Sequence, residues 1–191
     1  MSEKLKEEIE KSVHLFREGK ILLYPTDTVW GIGCDATNAK AINRIFKLKN
    51  RNEQKSMIVL LDSKEKLKDY VETIPPIAYD LIDNAASPIT IVYNRAKNLP
   101  SNLVAADGSI AIRVVKGDYC VEVIRRLGKP LVSTSANISG EFTPTTFAQI
   151  PEIIKQKVDY VVDIYHGRVR SVRPSTVLKL EDNGTFKILR M

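Results

Sequence analysis

Ile21-Leu22-Leu23-Tyr24-Pro25-Thr26-Asp27-Thr28 is the stretch on which the fold turns. Four apolar residues followed by a proline read as a buried strand that runs into a loop, because proline cannot donate to a sheet ladder. An amphipathic helix lies on each side. Upstream, Leu5, Ile9, Val13 and Phe16 share one helical face, and Gly19 stands where a C-terminal glycine cap belongs. Downstream, Ala41, Ile42, Ile45, Phe46 and Leu48 repeat the pattern, with Asn38 as the expected N-cap and the basic stretch Lys47-Leu48-Lys49-Asn50-Arg51 at the end.

The alternation continues along the chain. Strands are expected at Met57–Leu61, Ile89–Tyr93, Ser109–Val115, Pro130–Ser133, Tyr160–Ile164, Thr176–Leu180 and Thr185–Leu189. Helices are expected over Lys64–Val71, Ile77–Ala85, from an Asp118 N-cap to Leu127 with Gly128 as the stop, and over Thr145–Lys157. Asp182-Asn183-Gly184 between the last two strands marks a hairpin. Interspersed helices and strands give an α/β fold with a twisted mixed sheet, and 191 residues with 43% hydrophobic composition suit one domain spanning 1–191.

Composition narrows the function. The formal charge of +6 favours phosphate-bearing partners, although many lysines sit beside acidic residues on solvated helix faces. Two cysteines make no disulfide framework, and neither they nor His14 and His166 have metal-site spacing. No apolar run is long enough for a membrane span or a signal peptide, so a cytoplasmic protein without membrane association is expected. Walker A, Gly-x-Gly-x-x-Gly, His-Glu-x-x-His and Gly-x-Ser-x-Gly patterns are absent, and Gly31-Ile32-Gly33 is too short to be a dinucleotide fingerprint.

Three loops beside strands are rich in small polar residues: Thr26-Asp27-Thr28, Ser133-Thr134-Ser135-Ala136-Asn137 and Ser171-Val172-Arg173-Pro174-Ser175-Thr176. Hydroxyls and amides near backbone N–H groups suit phosphate and carboxylate oxygens. Each loop alone reads more readily as ordinary turn chemistry. Lys49 and Arg51, with Lys55, combine a movable point charge with a planar fork, as a polyphosphate site requires, yet basic residues also favour helix C-termini. Arg113 interrupts an apolar strand; Ile110 and Ile112 would face one side and Ala111 and Arg113 the other. Alternation leaves open whether Arg113 clamps a carboxylate or merely faces solvent.

Six stretches, in order, resemble the YrdC-like family of threonylcarbamoyl-AMP synthases: Tyr24-Pro-Thr-Asp-Thr-Val-Trp-Gly-Ile-Gly33, Lys49-Asn-Arg51, Ser109-Ile-Ala-Ile-Arg113, Pro130-Leu-Val-Ser-Thr-Ser-Ala-Asn-Ile-Ser-Gly140, Pro174-Ser-Thr-Val177 and Ile188-Leu-Arg190. The resemblance implies a YrdC-like fold with a large basic concavity in which ATP, L-threonine and bicarbonate give threonylcarbamoyl-AMP and pyrophosphate. A threonylcarbamoyl transferase complex would then use the product to modify tRNA. The family's Lys-x-Arg and Ser-x-Asn pairs fall on Lys49, Arg51, Ser135 and Asn137 as catalytic residues. By family position Lys55, Ser109, Thr143 and Arg190 join them around ATP, and Thr28, Arg113, Ser133 and Thr176 go to threonine. Mg²⁺ is expected to arrive with ATP, and no dedicated metal site is expected.

Three departures stand out: Trp30 for the usual tyrosine, Leu60 where some relatives carry a threonine-linked histidine, and Ser87-Pro88-Ile89-Thr90 for a glycine-containing loop. No counterpart of the extra C-terminal domain of longer relatives is expected, so any closing element is expected from within this domain or its N-terminus. Two other readings stay open: a non-catalytic module binding tRNA or double-stranded RNA on the same concavity, and a divergent paralogue. The lack of aromatics among the basic residues argues against single-strand recognition.

Overall fold

The computed structural model describes residues 1–50, 57–166 and 174–191. Its elements in chain order are α1 (Glu3–Arg17), β1 (Leu22–Tyr24), β2 (Gly31–Gly33), α2 (Ala39–Leu48), β3 (Ile58–Leu61), α3 (Leu67–Tyr70), α4 (Ile77–Asn84), β4 (Ile89–Tyr93), β5 (Ile110–Val114), α5 (Asp118–Leu127), β6 (Leu131–Ser135), α6 (Glu152–Lys157), β7 (Tyr160–Val161), β8 (Thr176–Leu180) and β9 (Phe186–Arg190). The strands form one mixed sheet in the order β7-β1-β2-β6-β3-β5-β4-β8-β9. Parallel pairs β1–β7, β3–β5 and β4–β8 are separated by antiparallel ones, and β8 and β9 form the expected hairpin.

Period-two alternation divides the strand side chains between two cores. Ile21, Leu23, Ile32, Val59, Leu61, Ile110, Ile112 and Val132 pack on one face with the apolar stripe of α2 and with Ala78 and Ile82 of α4. Leu22, Tyr24, Leu60 and Leu131 face the other way, under α1 and α5. Those two helices cover only part of that second face. On the same face Gly31, Ile58, Ala111, Arg113, Ser133 and Ser135 are left to line an open cavity.

Several boundaries differ from the sequence-based expectation. Strand β2 was not expected; its three residues include two glycines, and only pairing with β1 and β6 makes it a strand. The expected helix over Thr145–Lys157 is a 3₁₀ turn at Phe147–Gln149, closed by a Thr146/Gln149 capping box, and then α6 after Pro151. A proline there cannot continue the first turn. Gly117, not Asp118, is the N-cap of α5, and Asp118 opens the first turn, where a carboxylate meets the positive end of the helix dipole. The Tyr160–Ile164 strand shrinks to β7, and the helix over Lys64–Val71 opens with a 3₁₀ turn at Lys64–Lys66. Asn38 caps α2 as expected, accepting from Ala41 N, and Gly128 ends α5 at φ +73°. Among the described residues no helix is long and apolar enough to cross a membrane.

Candidate active site

The cavity holds about 290 Å³. One wall is the turn after β1. There Thr26 Oγ1 accepts from Thr28 N (3.0 Å) and donates to Val29 O (2.7 Å), fixing the loop so that Thr26 and Thr28 present their side chains to the cavity. The floor is the uncovered sheet face. Close packing of β2 on β6 requires its glycines: a Cβ on Gly31 would lie 2.5 Å from Ser133 Oγ, and one on Gly33 would lie 1.9 Å from Val132 O. Gly31 and Gly33 are thus required by the strand packing.

Lys49, the C-cap of α2, is only 1% exposed. Asn50 follows at φ +50°, the left-handed conformation that asparagine tolerates, and turns the chain out of the helix. The Lys49 ammonium donates to Ser135 O and to Asn137 Oδ1 (3.2 Å), and lies 3.5 Å from Ser135 Oγ. Ser135 Oγ in turn donates to Asn137 Oδ1 (2.5 Å), and Asn137 Nδ2 donates to Glu141 O (2.7 Å). The backbone closes the same junction through Ser139 N to Lys49 O (3.1 Å). Residues 86 and 88 positions apart in sequence therefore form one polar cluster around a buried cation, with Ser135 on the cavity wall.

Arg113 settles the alternation question. It points into the cavity, is 4% exposed, and donates from Nη1 to Thr28 Oγ1 (3.0 Å), while Nη2 lies 3.3 Å from Asp27 Oδ1. Arg190, on the edge strand β9, also lines the cavity and donates to Ser175 O (3.0 Å). Partial burial, and next the like charge of Arg113, lowers the Arg190 pKa from its usual value. An anion between the two guanidiniums would relieve that repulsion.

Of the remaining candidates, Ser133 and Thr143 line the cavity, whereas Lys49, Ser109, Asn137 and Thr176 are not among its lining residues. Ser109 immediately precedes β5, its N–H on Asp107 Oδ1 (3.0 Å), and Thr176 lies between the lining residues Ser175 and Val177. Arg51, Lys55 and the Ser171-Val172-Arg173 part of the third loop lie outside the described residues. Leu60, which raised a question about threonine contact, is absent from the lining and packs beneath α1 and α5. Trp30 keeps an aromatic wall, its ring centroid 4.9 Å from that of Phe147.

Sequence reasoning named Ser175 in the third polar loop but did not foresee its buried pairing with Thr90 on the cavity wall, Thr90 Oγ1 and Ser175 Oγ lying 2.7 Å apart. Its trace in the sequence is a threonine on the face of β4 opposite Ile91 and Tyr93. Among the described residues no cluster of three His, Cys, Asp or Glu side chains is placed to hold a metal ion.

The sequence profile of the Sua5/YciO/YrdC family, described as "Telomere recombination", matches residues 14–191. The threonylcarbamoyl-AMP synthase of Pseudoalteromonas translucida is 32% identical over 182 residues, 94% of this chain and 96% of that one. The enzyme of the same name from Thiobacillus denitrificans is 34% identical over 97% of this chain and 96% of its own. Among solved structures, P. abyssi Sua5 complexed with L-threonine superposes with a TM-score of 0.85 at 29% identity. That match covers 94% of this chain and 52% of the Sua5 chain, so this protein spans about half of that relative's length. E. coli YciO gives a TM-score of 0.82 at 25% identity, over 95% and 87% of the two chains. With the profile running from the end of α1 to the last residue, the chain belongs to the Sua5/YciO/YrdC family.

Proposed function

We propose that the protein is an L-threonylcarbamoyladenylate synthase, a nucleotidyltransferase that converts L-threonine, bicarbonate and ATP into threonylcarbamoyl-AMP, pyrophosphate and water. The observation that carries the reading is a single cavity lined both by Ser135, which is bonded to the buried Lys49 and Asn137 behind it, and by the Thr28–Arg113 contact. The names of the full-length relatives and the threonine-bound Sua5 support it.

In this chemistry the threonine amine captures bicarbonate to give a carbamate. A carbamate oxygen then attacks the α-phosphorus of ATP, and pyrophosphate leaves. Several anions must sit close together, where two unit charges about 4 Å apart repel by roughly 4 kcal/mol at an effective dielectric of about 20. Cations fixed in advance offset that repulsion without reorganising during the reaction. We assign Lys49, Arg51, Ser135 and Asn137 to the phosphates at the reacting centre. Lys55, Ser109, Thr143 and Arg190 hold the rest of ATP, and Thr28, Arg113, Ser133 and Thr176 hold threonine. Mg²⁺ enters as part of the nucleotide substrate and neutralises phosphate charge. The continuous nine-stranded sheet supports one domain over 1–191. The adenylate passes to a threonylcarbamoyl transferase acting on tRNA in the cytoplasm.

The test is pyrophosphate release from ATP and Mg²⁺ with and without L-threonine and bicarbonate. Release that needs both supports the assignment; release indifferent to either one overturns it.

A further inference from the structure

Asp27 has no part in the assignments above, yet it makes an unusual contact. Among the described residues, Arg113–Asp27 is the one ion pair in which both side chains are under 10% exposed, at 4% and 9%. Its geometry is poor for a stabilising bridge. Asp27 Oδ1 and Arg113 Nε are both sealed from solvent without an aligned hydrogen bond, and the pair meets at 3.3 Å. Burying two charges costs several kcal/mol each, and only excellent geometry offsets that, so such a pair is weak evidence for stability. Its placement points to another role.

Arg113 lines the main cavity, whereas Asp27 does not; Asp27 lines a second open cavity, of about 320 Å³, with Pro88, Lys116 and Gly117. The carboxylate thus meets the guanidinium from behind, leaving the side facing the site for a ligand. Asp27 is itself held, because its Oδ2 accepts from Lys116 N (3.4 Å) at the approach to α5. Thr28 Oγ1 takes Nη1 (3.0 Å). An arginine side chain carries about 2 kcal/mol of rotamer entropy, and pinning both ends of its fork removes that cost from ligand binding.

We propose that Asp27 is a positioning residue for Arg113, fixing the guanidinium so that it presents a ready fork to the carboxylate of the amino-acid substrate. The proposal rests on the reading of Arg113 as the receptor for the threonine carboxylate.

The test is steady-state kinetics of full-length Asp27→Asn, which keeps the shape and removes the charge, and of Asp27→Glu, which keeps the charge on a longer arm. Asp27→Asn raises the KM for L-threonine about 10- to 100-fold, in line with losing one partner of a buried charged pair, and leaves the KM for ATP within about twofold. Asp27→Glu gives a smaller rise. The ratio of the L-threoninol inhibition constant to the L-threonine KM shrinks in Asp27→Asn, since threoninol lacks the carboxylate. A merely structural role would move both KM values together and leave that ratio alone, which overturns the proposal. An unchanged or lowered threonine KM overturns it too, because it would mean that Asp27 only competes for the arginine. Wild-type protein without threonine-dependent pyrophosphate release would instead overturn the proposed function, so the two failures are separable.

Discussion

Gly31→Ala tests how the sheet builds the site. The added methyl would sit 2.5 Å from Ser133 Oγ and 3.3 Å from Thr26 Cγ2, so the serine side chain or the strand must shift. To reach ordinary contact the serine oxygen must retreat by roughly 1 Å or β2 must part from β6, and overpacking of this kind costs about 1–3 kcal/mol. Relief of the glycine's conformational freedom returns at most about 0.5–1 kcal/mol. In a chain of this size a net loss of about 1–2 kcal/mol lowers the unfolding temperature by roughly 2–8 °C. Because Ser133 lines the cavity, threonine affinity falls as well. Removing the oxygen in Gly31→Ala/Ser133→Ala recovers most of the stability and none of the threonine affinity. Calorimetric unfolding and threonine-dependent kinetics on the three variants read both effects. A Gly31→Ala protein as stable as wild type, or a double variant no more stable than the single one, would refute the reasoning.

Three further outcomes follow from the geometry. Lys49→Met removes a charge that would stand about 4 Å from a phosphate, which at an effective dielectric of about 20 is worth roughly 4 kcal/mol, so kcat/KM for ATP should fall about 10³-fold. Stability should change by no more than about 2 kcal/mol, since the ammonium's desolvation is relieved as its hydrogen bonds are lost; activity within threefold of wild type contradicts this assignment. Arg113→Ala should weaken threonine far more than ATP, and an unchanged threonine KM removes the arginine from that role. The Asp159 carboxylate, opposed by burial but held by hydrogen bonds from Arg44 and Ile21 N, has its pKa lowered. A lowered folded-state pKa gives stability that is complete above the unfolded value near 4 and lost as pH falls through the folded value. The stability penalty of Arg44→Ala, measured by denaturant unfolding, should therefore be full at about pH 7 and narrow below about pH 4. A penalty constant across that range counts against it.

The sequence carried the elements whose signal is local. The stripe of α2 and its Asn38 cap, the Gly128 stop and the Asp182-Asn183-Gly184 hairpin were each legible because a few neighbouring residues decide them. Strand β2 was not legible, since Gly31 and Gly33 carry no strand propensity and are there to let Ser133 and Val132 O approach. The burial of Arg113 also lay beyond periodicity: alternation gives a face, but only the limited reach of α1 and α5 decides that this part of the face is open to a ligand. Lys49, Ser135 and Asn137 were identified by resemblance, and their contact across 86 and 88 positions depends on the order in which β2, β6 and β3 pair. The pairing of Thr90 with Ser175 was not legible, because the two hydroxyls meet only once parallel pairing of β4 with β8 brings them together.

The most direct test of the account follows the carbon. Purified protein is incubated with radiolabelled bicarbonate, ATP, Mg²⁺ and L-threonine, and the nucleotide product is separated and counted. The account predicts label in a threonine-containing AMP conjugate, formed with one pyrophosphate per conjugate and abolished by omitting threonine. AMP and pyrophosphate produced without label in any conjugate, under conditions that keep the conjugate intact, would contradict it.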